Sequence, residues 1–167
     1  MYGKQTEVAI AAMSRLAEVY DGGKTRLSAS EIADSRGLPR PFVAKILSLL
    51  GQAGLVNGSR GPGGGCALAK NPKRIRLYDV FKLFERQDES DNCPFGGGRC
   101  GVGDPCPLHE KLVAVQHAMN DLLHETTFES FRVAYQEEGL RPLKKVNRKP
   151  KGKPKRKRES YRSSPSR

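Results

Sequence analysis

Between Ser28 and Ala53 the chain encodes two short helices and the corner between them. Ser28 followed three residues later by Glu31 is a capping box, in which a hydroxyl and a carboxylate satisfy N–H groups that the first helical turn leaves unpaired. The helix it opens runs to about Ser35, and Gly37 ends it. Pro39 and Pro41 start the next one, because proline lacks only an N–H that has no helical partner in the first turn. Arg40 to Ala53 continues it, with Phe42, Val43, Ile46, Leu47, Leu49 and Leu50 as a broad apolar face. Two short helices joined by a tight turn form the helix-turn-helix pattern, whose second helix reads DNA.

The flanking stretches extend that pattern. Residues 3–20 place Val8, Ala12, Leu16 and Val19, with Ala9, Met13 and Tyr20, at helical spacing until Gly22-Gly23. After Gly54, Leu55-Val56 and Ala67-Leu68-Ala69 flank a turn-rich connection, which predicts two short strands and a wing with Arg60 at its tip. Tyr78 to Arg86 reads as a further helix. From Leu108 to about Gln136 the positions Leu112, Val115, Met119, Leu122, Leu123, Phe128, Phe131 and Tyr135 predict one long helix, its stripe shared with a partner subunit and with the first helix. The expected fold is mainly α: a winged helix-turn-helix domain over 1–76 with a small β-wing, then residues 77–140 carrying a loop at 93–109 and a long dimerisation helix.

That loop holds three of the four cysteines. Cys93, Cys100, Cys106 and His109 are separated by six, five and two residues, and five glycines and three prolines exclude regular helix. Thiolates select zinc, copper(I) or iron–sulfur centres over hard cations, and three of them leave one position for another ligand. Structural zinc sites more often use close cysteine pairs than gaps of this size, which favours a cluster.

Charge separates the regions. Residues 1–76 carry 12 Lys/Arg against 5 Asp/Glu, and residues 77–140 carry 5 against 12. Residues 141–167 carry 13 Lys/Arg against Glu159 alone, which accounts for the net +12 of the whole chain. A basic first half suits a polyanion. The tail, rich in proline and serine and poor in apolar side chains, is expected to be disordered and to add salt-dependent attraction to phosphates. No run approaches the roughly 18 apolar residues of a membrane span, and the N-terminus lacks a secretory pattern, so a cytoplasmic, thiol-reducing setting is expected. No Ser/His/Asp or paired-carboxylate constellation is legible, and the only histidines are His109, His117 and His124, so an enzyme is not expected.

Taken together, Met13-Ser14-Arg15-Leu16-Ala17, Gln52-Ala53-Gly54-Leu55-Val56, the wing Arg60-Gly61-Pro62-Gly63-Gly64-Gly65, Leu68-Ala69 and the three-cysteine loop, in that order, resemble the Rrf-type winged-helix transcription regulators. The resemblance covers residues 1 to about 138 and embraces iron–sulfur assembly regulators and nitric-oxide-sensing repressors. It implies a homodimer on a double-stranded, pseudo-palindromic operator, its DNA affinity set by an iron–sulfur cluster on Cys93, Cys100 and Cys106. His109 stands where assembly-type members complete a [2Fe-2S] site. Glu7 stands where a first-helix acid of the other subunit completes a [4Fe-4S] site in nitric-oxide sensors. Two positions depart from the pattern: Cys66 replaces a common tyrosine after the wing glycines, and Ala44 replaces the recognition-helix glutamate of assembly regulators.

The residues expected to face DNA are Ser28, Arg40, Pro41, Phe42, Lys45, Arg60 and Gly61. Cys66 reads as a small, half-buried strand residue rather than a ligand. The rival readings are a cluster-free zinc- or thiol-responsive repressor of the same fold and an iron–sulfur carrier or electron-transfer protein, the second of which leaves the helix-turn-helix and the wing unused.

Overall fold

The computed structural model describes residues 3–61, 63–85 and 107–139. Its elements, in chain order, are α1 (Lys4–Glu18), α2 (Ala29–Arg36), α3 (Arg40–Gln52), β1 (Val56–Ser59), β2 (Gly65–Leu68), a 3₁₀ turn at Pro72–Arg74, α4 (Leu77–Phe84), α5 (His109–Glu125) and α6 (Glu129–Glu138). The cysteine loop up to Cys106, Arg86, Pro62 and the tail 141–167 lie outside the described residues.

Both helix-turn-helix signals act locally as expected. Glu31 N–H donates to Ser28 Oγ at 3.2 Å, and Ser28 N–H donates to the Glu31 carboxylate at 2.7 Å. Gly37 takes φ 63°, and the Leu38 N–H then donates back to Ala33 O at 2.9 Å, turning the chain toward α3. Pro39 caps α3 and its carbonyl accepts from both Phe42 and Val43 N–H.

Helix α1 is the centre of the core. Val8, Ala9, Ala12, Met13, Leu16 and Ala17 are all buried, and around them pack Ile32 and Ala33 of α2, Val43, Ile46 and Leu50 of α3, and Val80 of α4. β1 and β2 pair antiparallel with Val56 opposite Leu68 and Ser59 opposite Gly65, so the strands run further into the wing than the apolar residues alone indicate. The other edge of β2 is also paired: Leu27 N–H donates to Cys66 O and Cys66 N–H to Leu27 O, at 2.9 and 2.7 Å. Gly65 is required there, since a Cβ would meet the Leu27 backbone at 2.9 Å.

The single long helix expected over Leu108 to Gln136 is two. Thr126 is extended, Leu77 N–H donates to Thr126 O at 3.0 Å, and Phe128 N–H donates to Ile75 O at 2.9 Å. These bonds to a neighbouring segment replace helical ones, and two adjacent β-branched threonines make the exchange cheap. The gain is burial of Phe128, which is fully enclosed and lies 5.6 Å from the Phe131 ring. The break sorts the apolar stripe: Leu123, Phe128 and Phe131 close on the same chain's core, whereas Val115 and Leu122 of α5 remain 61% and 45% exposed.

A carboxylate from outside α1 caps that helix. Gly3 has no side chain to cap α1, and Glu85, just past α4, accepts from the Gly3 N–H at 2.6 Å and from the buried Thr6 hydroxyl. The Thr6 hydroxyl first, then the Gly3 N–H, hold the Glu85 carboxyl below the usual carboxylate range.

Replacing Phe128 with alanine is expected to cost about 3–5 kcal/mol of stability in denaturant unfolding, as for other fully enclosed phenylalanines. A depressed folded-state pKa contributes stability above the unfolded pKa, and that contribution is lost as pH falls through the folded value. Wild type should therefore lose more thermal stability than Glu85→Gln between about pH 5 and pH 3; parallel melting profiles would remove the capping role.

Candidate nucleic-acid interface and metal-ligand set

The side of α3 turned from the core carries Pro41, Ala44, Lys45 and Ser48, all exposed and spaced as one helical stripe. Val43, Ile46, Leu47 and Leu50 on the other side are buried, so this helix has one orientation and one free face. Lys45 has no ion-pair partner among the described residues and is open to a phosphate or a base edge. Ser48 escaped the sequence reading, although its spacing from Pro41, Ala44 and Lys45 signals it.

Arg40 is not a free cation. Its Nε and Nη2 donate to the two carboxylate oxygens of Asp34 at 3.0 and 2.8 Å, which raises its pKa further. Both side chains are more than half exposed, and a solvent-exposed pair of this kind contributes little, so a DNA phosphate can displace Asp34 at little cost. Phe42 is half-buried and packs against the core, which fixes the start of α3. Ser28 is likewise half-buried, its oxygen engaged at the head of α2. A phosphate reaching that end would meet unpaired helix N–H groups.

Arg60 and Gly61 are exposed at the wing tip. Arg26 joins this surface from a place the sequence does not signal. Asp21 accepts from Lys24 N–H, Thr25 N–H and the Thr25 hydroxyl, folding a turn that brings Leu27 onto β2 and lets Arg26 donate to Asn57 O at 3.4 Å. Between the start of α2, α3 and the wing lies a cleft of about 310 Å³ whose lining includes Ala44, Ser48, Val56, Gly58 and Cys66. Cys66 is a free thiol, half-buried in β2, and burial pushes its pKa up, so it is protonated and poorly suited to hold a metal.

Of the expected cluster ligands, Cys93, Cys100 and Cys106 lie outside the described residues. Glu7 sits in the first turn of α1, exposed, with Lys4 as its ion-pair partner at 2.6 Å. His109 is the first residue of α5. No group of three possible metal ligands occurs among the described residues. Glu7 follows the Thr6 that bonds Glu85, the last described residue before the loop, and His109 opens α5, which follows the loop in sequence. An accessible carboxylate and an imidazole both complete a three-thiolate set, so the donors fit an iron–sulfur group. His117 and His124 are exposed on α5, and His124 stacks on Tyr78 with centroids 4.0 Å apart. No described helix is long and apolar enough to cross a membrane.

The Rrf2 family model, described as an iron-dependent transcriptional regulator, matches residues 2–132. An HTH-type transcriptional regulator of Aquifex aeolicus is 31% identical over 68% of this chain and 79% of its own. The HTH-type transcriptional repressor NsrR of Streptomyces coelicolor is 31% identical over 74% of this chain and 82% of its own. Among solved structures, CymR, the global cysteine regulator of B. subtilis, superposes with a TM-score of 0.64 at 23% identity, covering 80% of this chain and 96% of that one. A helix-turn-helix presenting one polar face, a wing pinned beside it and a sequence match over most of the chain agree: the protein belongs to the Rrf2 family and is a DNA-binding transcriptional regulator, not an enzyme.

Proposed function

We propose that this regulator is a cytoplasmic, homodimeric repressor whose operator affinity is governed by an iron–sulfur cluster held by Cys93, Cys100 and Cys106, with His109 or Glu7 as fourth ligand. The observation that carries the reading is the Glu85 bond to the first turn of α1, which ties the residue that ends α4, the last described before the cysteine loop, to the helix on which the recognition helix packs. When bound, the cluster supplies a redox- and nitric-oxide-reactive centre. The remaining work belongs to the chain. Glu85 holds α4 and α1 together, and α1 carries Val43, Ile46 and Leu50 of α3 on its buried face, so a shift at the end of α4 reaches the recognition helix through packed side chains.

The exposed apolar residues of α5, Val115 and Leu122, favour pairing with the same helix of a second copy. Pairing there sets two recognition helices about one DNA turn, roughly 34 Å, apart. Residues 1–76 then form the DNA-binding part, 77–140 the sensing and dimerising part, and 141–167 a basic tail that adds affinity without sequence preference. Ala44 in the recognition stripe leaves no carboxylate to select against particular bases, so the cluster controls how tightly the protein binds rather than which operators it chooses.

Iron, sulfide and zinc content of protein purified without oxygen tests the cluster. Iron and sulfide of roughly four per chain, lost in Glu7→Ala and kept in His109→Ala, mark a [4Fe-4S] sensor, whereas roughly two per chain, lost in His109→Ala, mark a [2Fe-2S] regulator. Zinc without sulfide would replace this reading with that of a metal- or thiol-responsive repressor, and DNA binding unchanged between holo protein and Cys100→Ser would remove the coupling. Lys45→Ala is expected to weaken operator binding and to reduce the slope of log K against log salt by about one per contacted phosphate. A slope equal to that of wild type would take Lys45 off the DNA.

A further inference from the structure

We propose that the cavity between α1, α2 and α6 is a binding site for a small organic carboxylate. It has a volume of about 400 Å³, within the range of small-molecule pockets. Ser14, Glu18 and Arg36 form one wall, and Phe131, Ala134 and Tyr135 form the other. None of the cysteines takes part, so the proposal stands apart from the cluster.

Together with Arg15 behind it, the polar wall carries surplus positive charge. Glu18 receives Arg15 Nη1 at 3.0 Å on one oxygen and Arg36 Nη2 at 2.5 Å on the other, so one carboxylate serves two guanidinium groups. All three side chains are largely enclosed, at 12%, 11% and 18% exposure for Arg15, Glu18 and Arg36. An unbalanced charge in such a place favours a counter-anion, because water stabilises it only in part. Arg36 also has donors to spare: Nε goes to Ala11 O and Nη2 to Ser14 Oγ and Glu18, while its Nη1 has no hydrogen-bond partner among the described residues. Ser14 cannot serve as donor, since its hydroxyl already goes to Ala11 O. Arg15 lies 5.6 Å from the centre of the Tyr135 ring, which leaves Arg36 to take the ligand's charge.

The facing wall decides what kind of anion fits. Phe131, Ala134 and the Tyr135 ring offer apolar surface beside the guanidinium, a lining that rewards an anion with a hydrocarbon body over an inorganic one. Arg36 is the last residue of α2, immediately before the Gly37 corner that leads to α3. A ligand spanning Arg36 and α6 therefore fixes the end of the first helix-turn-helix element against the C-terminal helix, and gives this regulator an input separate from its cysteines.

Calorimetric titration of the full-length protein with phenylacetate, phenylacetamide and inorganic phosphate tests the site. Phenylacetate is expected to saturate with a millimolar-range Kd, and the uncharged amide and phosphate to bind at least about tenfold more weakly. Ala134→Phe, which fills the cavity and leaves its charges in place, should abolish binding. Arg36→Gln should erase the preference for the acid over the amide. The proposal is overturned if phenylacetate fails to saturate by about 20 mM, if the amide or phosphate binds as well, or if Ala134→Phe with a wild-type circular dichroism spectrum binds phenylacetate unchanged.

Discussion

Burial of one face of α1 is the constraint on which the other elements depend. Ala9, Ala12 and Ala17 keep that face narrow, so α2, α3, α4 and α6 can all approach the same helix of about four turns, while Val8, Met13 and Leu16 fill the spaces between them. A helix shared in this way cannot move alone. At its first turn it meets Glu85, just past α4; along its middle, the recognition helix; at its last turn, the Glu18 pair with Arg36. An interior packed to the density of an organic crystal transmits a displacement rather than absorbing it. The two inputs argued for this regulator, one at each end of α1, use that same property.

Local chemistry made much of the fold readable. The Ser28–Glu31 box, the Gly37 corner, the prolines before α3 and the alternation of apolar residues in α1 and α3 each act over a few residues, and each appears where the sequence places it. The resemblance to the Rrf family rested on the order of such features, and the family match over residues 2–132 agrees with it. Interactions across long sequence separations were not readable. Nothing near Thr126 announces that its carbonyl will serve Leu77, and a period of three and four continues through Phe128 without interruption. The same applies to Leu27 closing on Cys66. Of the candidate site, Pro41 and Lys45 of the exposed α3 stripe were read from the sequence and Ser48 was missed although its spacing signals it, whereas Arg26 required the tertiary turn at Asp21.

The break at Thr126 also reassigns the C-terminal half. A continuous helix would have to satisfy a core and a partner with one stripe. Two helices at a bend divide the stripe, with Leu123 near the end of α5 and Phe128 at the head of α6 buried in the core and Val115 and Leu122 left exposed on α5. Phe128 therefore stabilises the domain that binds DNA although it lies within the region of sequence that reads as a dimerisation element.

The double pairing of β2 has a consequence for how the protein grips its operator. With β1 on one edge and Leu27 on the other, the base of the wing is ordered before DNA arrives. For the proposed contact of Arg60 and Gly61 at the wing tip with DNA, a base already held on both edges confines the entropic penalty of binding to a few residues beyond it. Substitutions in that tip can retune grip on different groove widths over evolutionary time while the scaffold beneath remains untouched.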